Sequence, residues 1–111
     1  MIRILEGQTI LPQTKKIERA IIFLHGYGAN GKDLISIGHS WEDKLRETLF
    51  LSPNAPFECP WGNNSYQWFE LTSISPENIS KGLLKAGPYL NEYIDWVKKE
   101  FNLSNEKIFF V

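Results

Sequence analysis

The chain has 111 residues, 42% of them hydrophobic and 23% charged, and a formal net charge of −1. That length allows one domain burying roughly 60–65% of its extended-chain surface, and the interspersed, near-neutral charge offers no basic footprint for nucleic acid. One cysteine, Cys59, excludes an internal disulfide and suits a reducing compartment. The N-terminal "MIRILEGQTILPQ" lacks the pattern of a signal peptide, and no stretch approaches the roughly 20 apolar residues that span a bilayer. The expectation is a soluble cytoplasmic protein with no transmembrane segment.

In chain order, "IRILE" at residues 2–6 reads as a short strand. "IERAIIFLH", residues 17–25, holds a continuous apolar run ending at glycine, which suits a strand buried on both faces of a parallel sheet. Leu34, Ile37, Trp41, Leu45 and Leu49 recur at helical steps and predict an amphipathic helix over 32–48. A short apolar strand near 49–53 follows, stopped by prolines. Residues 57–75 read as irregular and aromatic. A second helix is predicted over 76–101, with Ser75 as cap, Pro76 in the first turn and Glu77 at the positive end of the dipole. Its expected buried stripe is Leu83, Ala86, Leu90, Ile94, Val97 and Phe101, with a bend or break at Gly87-Pro88. "KIFFV" at 107–111 reads as a final buried strand. Strands alternating with helices predict an α/β fold, with the strands near 18–25, 49–53 and 107–111 mostly parallel.

"HGYGANGKD", residues 25–33, supports two readings in this context. From Gly26 it spells G-x-x-x-x-G-K, the phosphate-cradling loop, with Asp33 where a metal-holding Ser or Thr belongs. A carboxylate there repels each phosphate charge by about 4 kcal/mol at 4 Å and an effective dielectric near 20. From His25 it spells a His-Gly turn that can carry one arm of an oxyanion hole. A turn without chemistry is the third possibility.

Four segments in order decide the weight: "IIFLHGYGANGKDL", "LSPNAPFECPWG", "YQWFEL" and a long helix ending in "IFFV". Together they resemble the carboxylesterase, phospholipase and acyl-protein thioesterase family of α/β-hydrolases, over nearly the whole chain. The resemblance implies a serine hydrolase of carboxylic esters or thioesters without a cofactor. It implies that the backbone N–H of Tyr27 is an oxyanion donor, and that Trp68 and Phe69 border an acyl-binding cleft. Both aromatics can equally serve as core or covering residues.

The same resemblance places the nucleophile, the second oxyanion donor, the acid and the histidine after the strand that corresponds to "IFFV". The chain is therefore expected to be a single partial α/β-hydrolase domain over 1–111, with no catalytic residue of its own and no activity alone. It is a gene remnant or shortened product, one half of a split enzyme, or else a nucleotide-binding module. The expected partners are an acyl-ester or thioester substrate, a C-terminal half, or a second copy pairing through the 108–111 strand. "GHSWE" at 38–42 imitates a nucleophile elbow, but Glu42 replaces the closing glycine and a helical period precedes it. Ser40 is read as an ordinary helical serine, His25 as a structural hydrogen-bonding residue and His39 as a surface residue. Cys59 shows no sign of activation, and no residue spacing suits a metal.

Overall fold

A computed structural model describes residues 3–69 and 75–111. Its strands are β1 (Gly7–Ile10), β2 (Arg19–Ile22), β3 (Thr48–Pro53), β4 (Phe57–Glu58), β5 (Tyr66–Gln67) and β6 (Ile108–Phe110). Its helices are α1 (Gly31–Trp41) and α2 (Pro76–Phe101), with a 3₁₀ turn at Asn105–Lys107 before β6. The main sheet has the order β1-β3-β2-β6, and β4 pairs with β5 in a separate hairpin. β2 runs parallel to both β3 and β6, whereas β1 is antiparallel to β3. The three strands expected to be parallel are parallel, because a helix lies in each crossover between them.

Alternation along β2 and β3 divides the core between the two sheet faces. Ala20, Ile22, Leu49 and Leu51 pack with Tyr93, Val97 and Leu103 on the α2 side. Ile21, Phe23 and Phe50 pack with Ile35 on the α1 side, edged by Leu34, Ile37, Trp41 and Leu45. Phe23, Phe50, Ile22, Leu49, Leu51 and Val97 are essentially sealed from solvent, and each such side chain contributes about 1.5–3 kcal/mol by leaving water. Burial pushes the Tyr93 phenol well above its ordinary pKa, so it stays neutral in the core.

Five sequence expectations are corrected. The first strand is Gly7–Ile10 instead of 2–6: residues 3–6 form no strand, Leu5 is buried in the core, and pairing with β3 fixes the strand one step later. Helix α1 stops at Trp41 instead of 48, because Glu47 adopts a left-handed conformation (φ 62) and Leu49 is consumed by β3. Helix α2 is one element through Pro88, so of the expected bend or break the break does not occur. Its buried residues are Gly82, Ala86, Tyr93 and Val97, while Leu83 is 58% exposed. Ala86 and Val97 keep their expected places and Ile94 and Phe101 pack against the core, while Gly82 is buried in place of Leu83, with the Phe69 side chain lying directly over it. The segment 57–75 contains the β4–β5 hairpin, and its residues 70–74 lie outside the described residues.

The chain leaves β2 through α1 to β3, then passes back through α2 to β6 on the other side of β2. The exit of β2 therefore lies between crossovers of opposite direction. Open α/β sheets bind ligands at such a point, outside the carboxyl ends of the strands.

Candidate active site

His25, Gly26 and Tyr27 form the exit of β2. His25 is 3% exposed and its ring is fully engaged. The Ala55 N–H donates to Nε2 at 2.9 Å, which leaves Nδ1 to carry the proton toward the Gly26 carbonyl at 2.7 Å. The ring thus ties the end of β2 to the residues that follow β3 and holds one tautomer. Trp68 donates its indole N–H to the His25 carbonyl at 2.9 Å, with the two rings 5.7 Å apart. The structural reading of His25 holds, and sequence reasoning missed both partners because they lie 30 and 43 residues away.

In the loop that follows, the N–H groups of Gly28, Ala29, Gly31 and Asp33 are bonded within the protein. Gly28 donates to the Tyr66 carbonyl at 3.0 Å, and Ala29 to the Gly26 carbonyl at 3.2 Å. Gly31 donates to Asn54 Oδ1 at 2.8 Å, and Asp33 to the capping Asn30 Oδ1 at 3.1 Å. The Tyr27 N–H has no acceptor among the described residues, and neither do those of Gly26, Asn30 and Lys32; Tyr27 is the one that directly follows the His25-Gly26 pair. A donor fixed at a strand exit with its hydrogen unspent is what a developing oxyanion requires.

This accounting also counts against the nucleotide reading of the loop. A phosphate cradle needs several free N–H groups converging on one anion, and those of Gly28, Ala29, Gly31 and Asp33 are already bonded. Titration of the chain with Mg-ATP is therefore expected to give no heat above dilution. A micromolar dissociation constant would restore the phosphate-loop reading.

Trp68 and Phe69 border a groove of about 320 Å³ that is lined by Leu24, His25, Leu83, Ala86, Gly87 and Leu90. Its lining is almost wholly apolar, and His25 joins it to the β2 exit. The structure thus brings Trp68 and Phe69 to one side of the turn that carries Tyr27. A separate cavity of about 270 Å³ lies between the β1–β2 connection and the α1–β3 connection, at the amino ends of the parallel strands and away from this turn.

Ser40 is exposed on α1, its hydroxyl directed at the Ser36 carbonyl at 3.4 Å, so its surroundings are those of a helical surface serine. His39 lies 3.6 Å from Glu42, one turn along α1, a partner the sequence reading had not assigned. Cys59 is buried and unpaired.

A profile of the phospholipase/carboxylesterase family matches residues 5–111. The chain is 27% identical over 99 residues to acyl-protein thioesterase 1 of Emericella nidulans, an alignment covering 77% of this chain and 41% of that protein. It also resembles the crystal structure of esterase PE8 with a TM-score of 0.89 and 27% identity, covering 97% of this chain and 51% of the esterase. The chain spans about half the length, or less, of these relatives.

Proposed function

The chain belongs to the phospholipase/carboxylesterase family, and on that premise we propose that it supplies one oxyanion donor and the acyl side of a cleft for hydrolysing carboxylic esters or acyl thioesters. The observation that carries this reading is the N–H of Tyr27, which has no acceptor among the described residues and lies at the exit of β2 directly after His25-Gly26. The apolar groove beside it, with Trp68 and Phe69, suits an acyl chain. Hydrolysis would run through an acyl-serine intermediate, with the tetrahedral oxyanion held by the Tyr27 N–H.

This reading takes the nucleophile from outside residues 1–111, whose sequence contains no G-x-S-x-G. The backbone geometry supports where it would enter. Val111 is bonded to β2 on both sides, accepting from Leu24 N–H at 2.8 Å and donating to the Ile22 carbonyl at 3.0 Å. A chain continuing from Val111 would emerge beside the Tyr27 turn, where acyl transfer needs a serine. Residues 1–111 alone should hydrolyse p-nitrophenyl butyrate no faster than a heat-killed control. Substitution of the matching half of esterase PE8 by residues 5–111 tests the reading. The chimera is expected to turn over the same ester; a folded chimera without turnover would overturn the proposal.

A second copy of the chain is the partner we propose for the open edge of the sheet. β6 is an edge strand, and since Val111 faces β2, the alternate residues Ile108 and Phe110 turn their backbone groups outward. Phe109 and Phe110 are about half exposed, and no charge or proline in 108–111 blocks pairing. Size-exclusion chromatography should show dimers or larger species, shifted to monomer by Phe110→Lys. A monomeric parent chain would remove this partner. The buried, unpaired Cys59 suits the reducing cytoplasm, which we propose as the compartment. Among the described residues no helix is long and apolar enough to cross a membrane.

A further inference from the structure

An ester has two arms, and the groove of Trp68 and Phe69 accounts for only one of them. Outside that groove, Trp61 and Tyr27 stand 53% and 45% exposed. Their rings meet edge-to-face, 72° apart in plane and 5.7 Å between centroids. Neither residue lines the acyl-side groove. Two large aromatic side chains left half in water beside an unspent oxyanion donor form an apolar surface with a polar neighbour, the combination that recognises ligands.

The tip that carries Trp61 is held in place. Gly62, Asn63 and Asn64 all adopt left-handed conformations (φ 68, 58 and 57), which turn the chain sharply between β4 and β5. Gly62 N–H donates to the Cys59 carbonyl at 3.0 Å and closes that turn. The hairpin is then laced to the oxyanion turn by Gly28 N–H to the Tyr66 carbonyl, by Tyr66 N–H to the Ala29 carbonyl at 2.9 Å, and by Asn30 Nδ2 to the Asn64 carbonyl at 2.8 Å. Gly28 (φ 79) lets the Trp61 ring rest against the backbone, since a Cβ there would lie 3.3 Å from it. The exposure of Trp61 is therefore a property of a fixed surface.

We propose that Trp61 and the Tyr27 ring form a ledge for the leaving-group arm of the substrate. The preferred ester or thioester then carries an apolar, ring-sized leaving group opposite its acyl chain. This inference rests on the reading of the Tyr27 N–H as oxyanion donor, because that reading places the scissile carbonyl between groove and ledge.

Titration of the ¹⁵N-labelled chain with two non-hydrolysable amides, N-phenyloctanamide and N-methyloctanamide, separates the two claims. Both are expected to shift the Tyr27 amide resonance, and the phenyl compound to shift the Trp61 indole and bind about tenfold more tightly. Trp61→Ala should abolish that preference while leaving N-methyloctanamide affinity unchanged, and Trp61→Phe should retain most of it. Equal affinity of the parent chain for the two amides, with the Tyr27 shift intact, would overturn the ledge and leave the donor standing. Failure of either amide to move the Tyr27 resonance would overturn both.

Discussion

Replacing Tyr27 with proline is expected to lower kcat of the esterase PE8 chimera by about 10²–10³. Proline removes one hydrogen, the N–H that has no acceptor among the described residues. It does so at a position where φ is not in the left-handed region and where the preceding residue is glycine, which has no Cβ to clash with the ring. The loss should fall on kcat because the bond forms fully only when the carbonyl oxygen becomes an anion. Tyr27→Ala separates donor from side chain: it keeps the N–H and forfeits the ring, with its contact to Trp61 and its share of the proposed ledge, so KM should rise while most of kcat remains. Equal kcat for Tyr27→Pro and Tyr27→Ala would assign the oxyanion to another donor.

Gly31→Ala is expected to destabilise the chain by about 3–5 kcal/mol, a large share of the roughly 5–15 kcal/mol that holds a domain together. A Cβ at Gly31 would overlap the Ser52 carbonyl oxygen, because α1 begins directly against β3. Two hydrogen bonds secure that contact, Gly31 N–H to Asn54 Oδ1 at 2.8 Å and Ser52 hydroxyl to the Gly31 carbonyl at 2.7 Å. Moving α1 away to make room for the methyl group stretches both. Gly26→Ala is the control, since a Cβ there meets nothing within 4 Å, and its effect should stay within about 1 kcal/mol. Urea midpoints of the two variants measure the difference. Matching midpoints would show that the helix start can yield without cost.

Much of the architecture was legible in local patterns. β2 was readable because a strand buried on both faces needs an unbroken apolar run, and "AIIF" is one. Helix α2 runs Pro76–Phe101 as expected, since Ser75 caps its first turn by accepting from Asn78 N–H. The errors arose where a local signal had a tertiary competitor. Leu45 and Leu49 continue the period of α1, yet Leu49 contributes more in the sealed centre of β3 than on a helix end. β1 is mostly exposed and polar in sequence, "GQTI", so its place is set by the hydrogen bonds β3 offers. No apolar pattern could have announced it.

At the site, the sequence by itself determined the order of strands and helices and the presence of a Gly-rich turn at the exit of a buried strand. The family of that turn could also be read from it, because turns and amphipathic runs are written in neighbouring residues. It left two uses of the turn open, oxyanion donor or phosphate cradle, since both need the same glycines. The tertiary structure weighs against the cradle. Tyr66 and Asn54 arrive from distant parts of the chain to take the N–H groups of Gly28 and Gly31, while Ala29 and Asp33 bond within the loop and Tyr27 is passed over. A backbone donor looks the same in every residue of a sequence; whether it is spent depends on which carbonyl or side chain folding brings within about 3 Å of it.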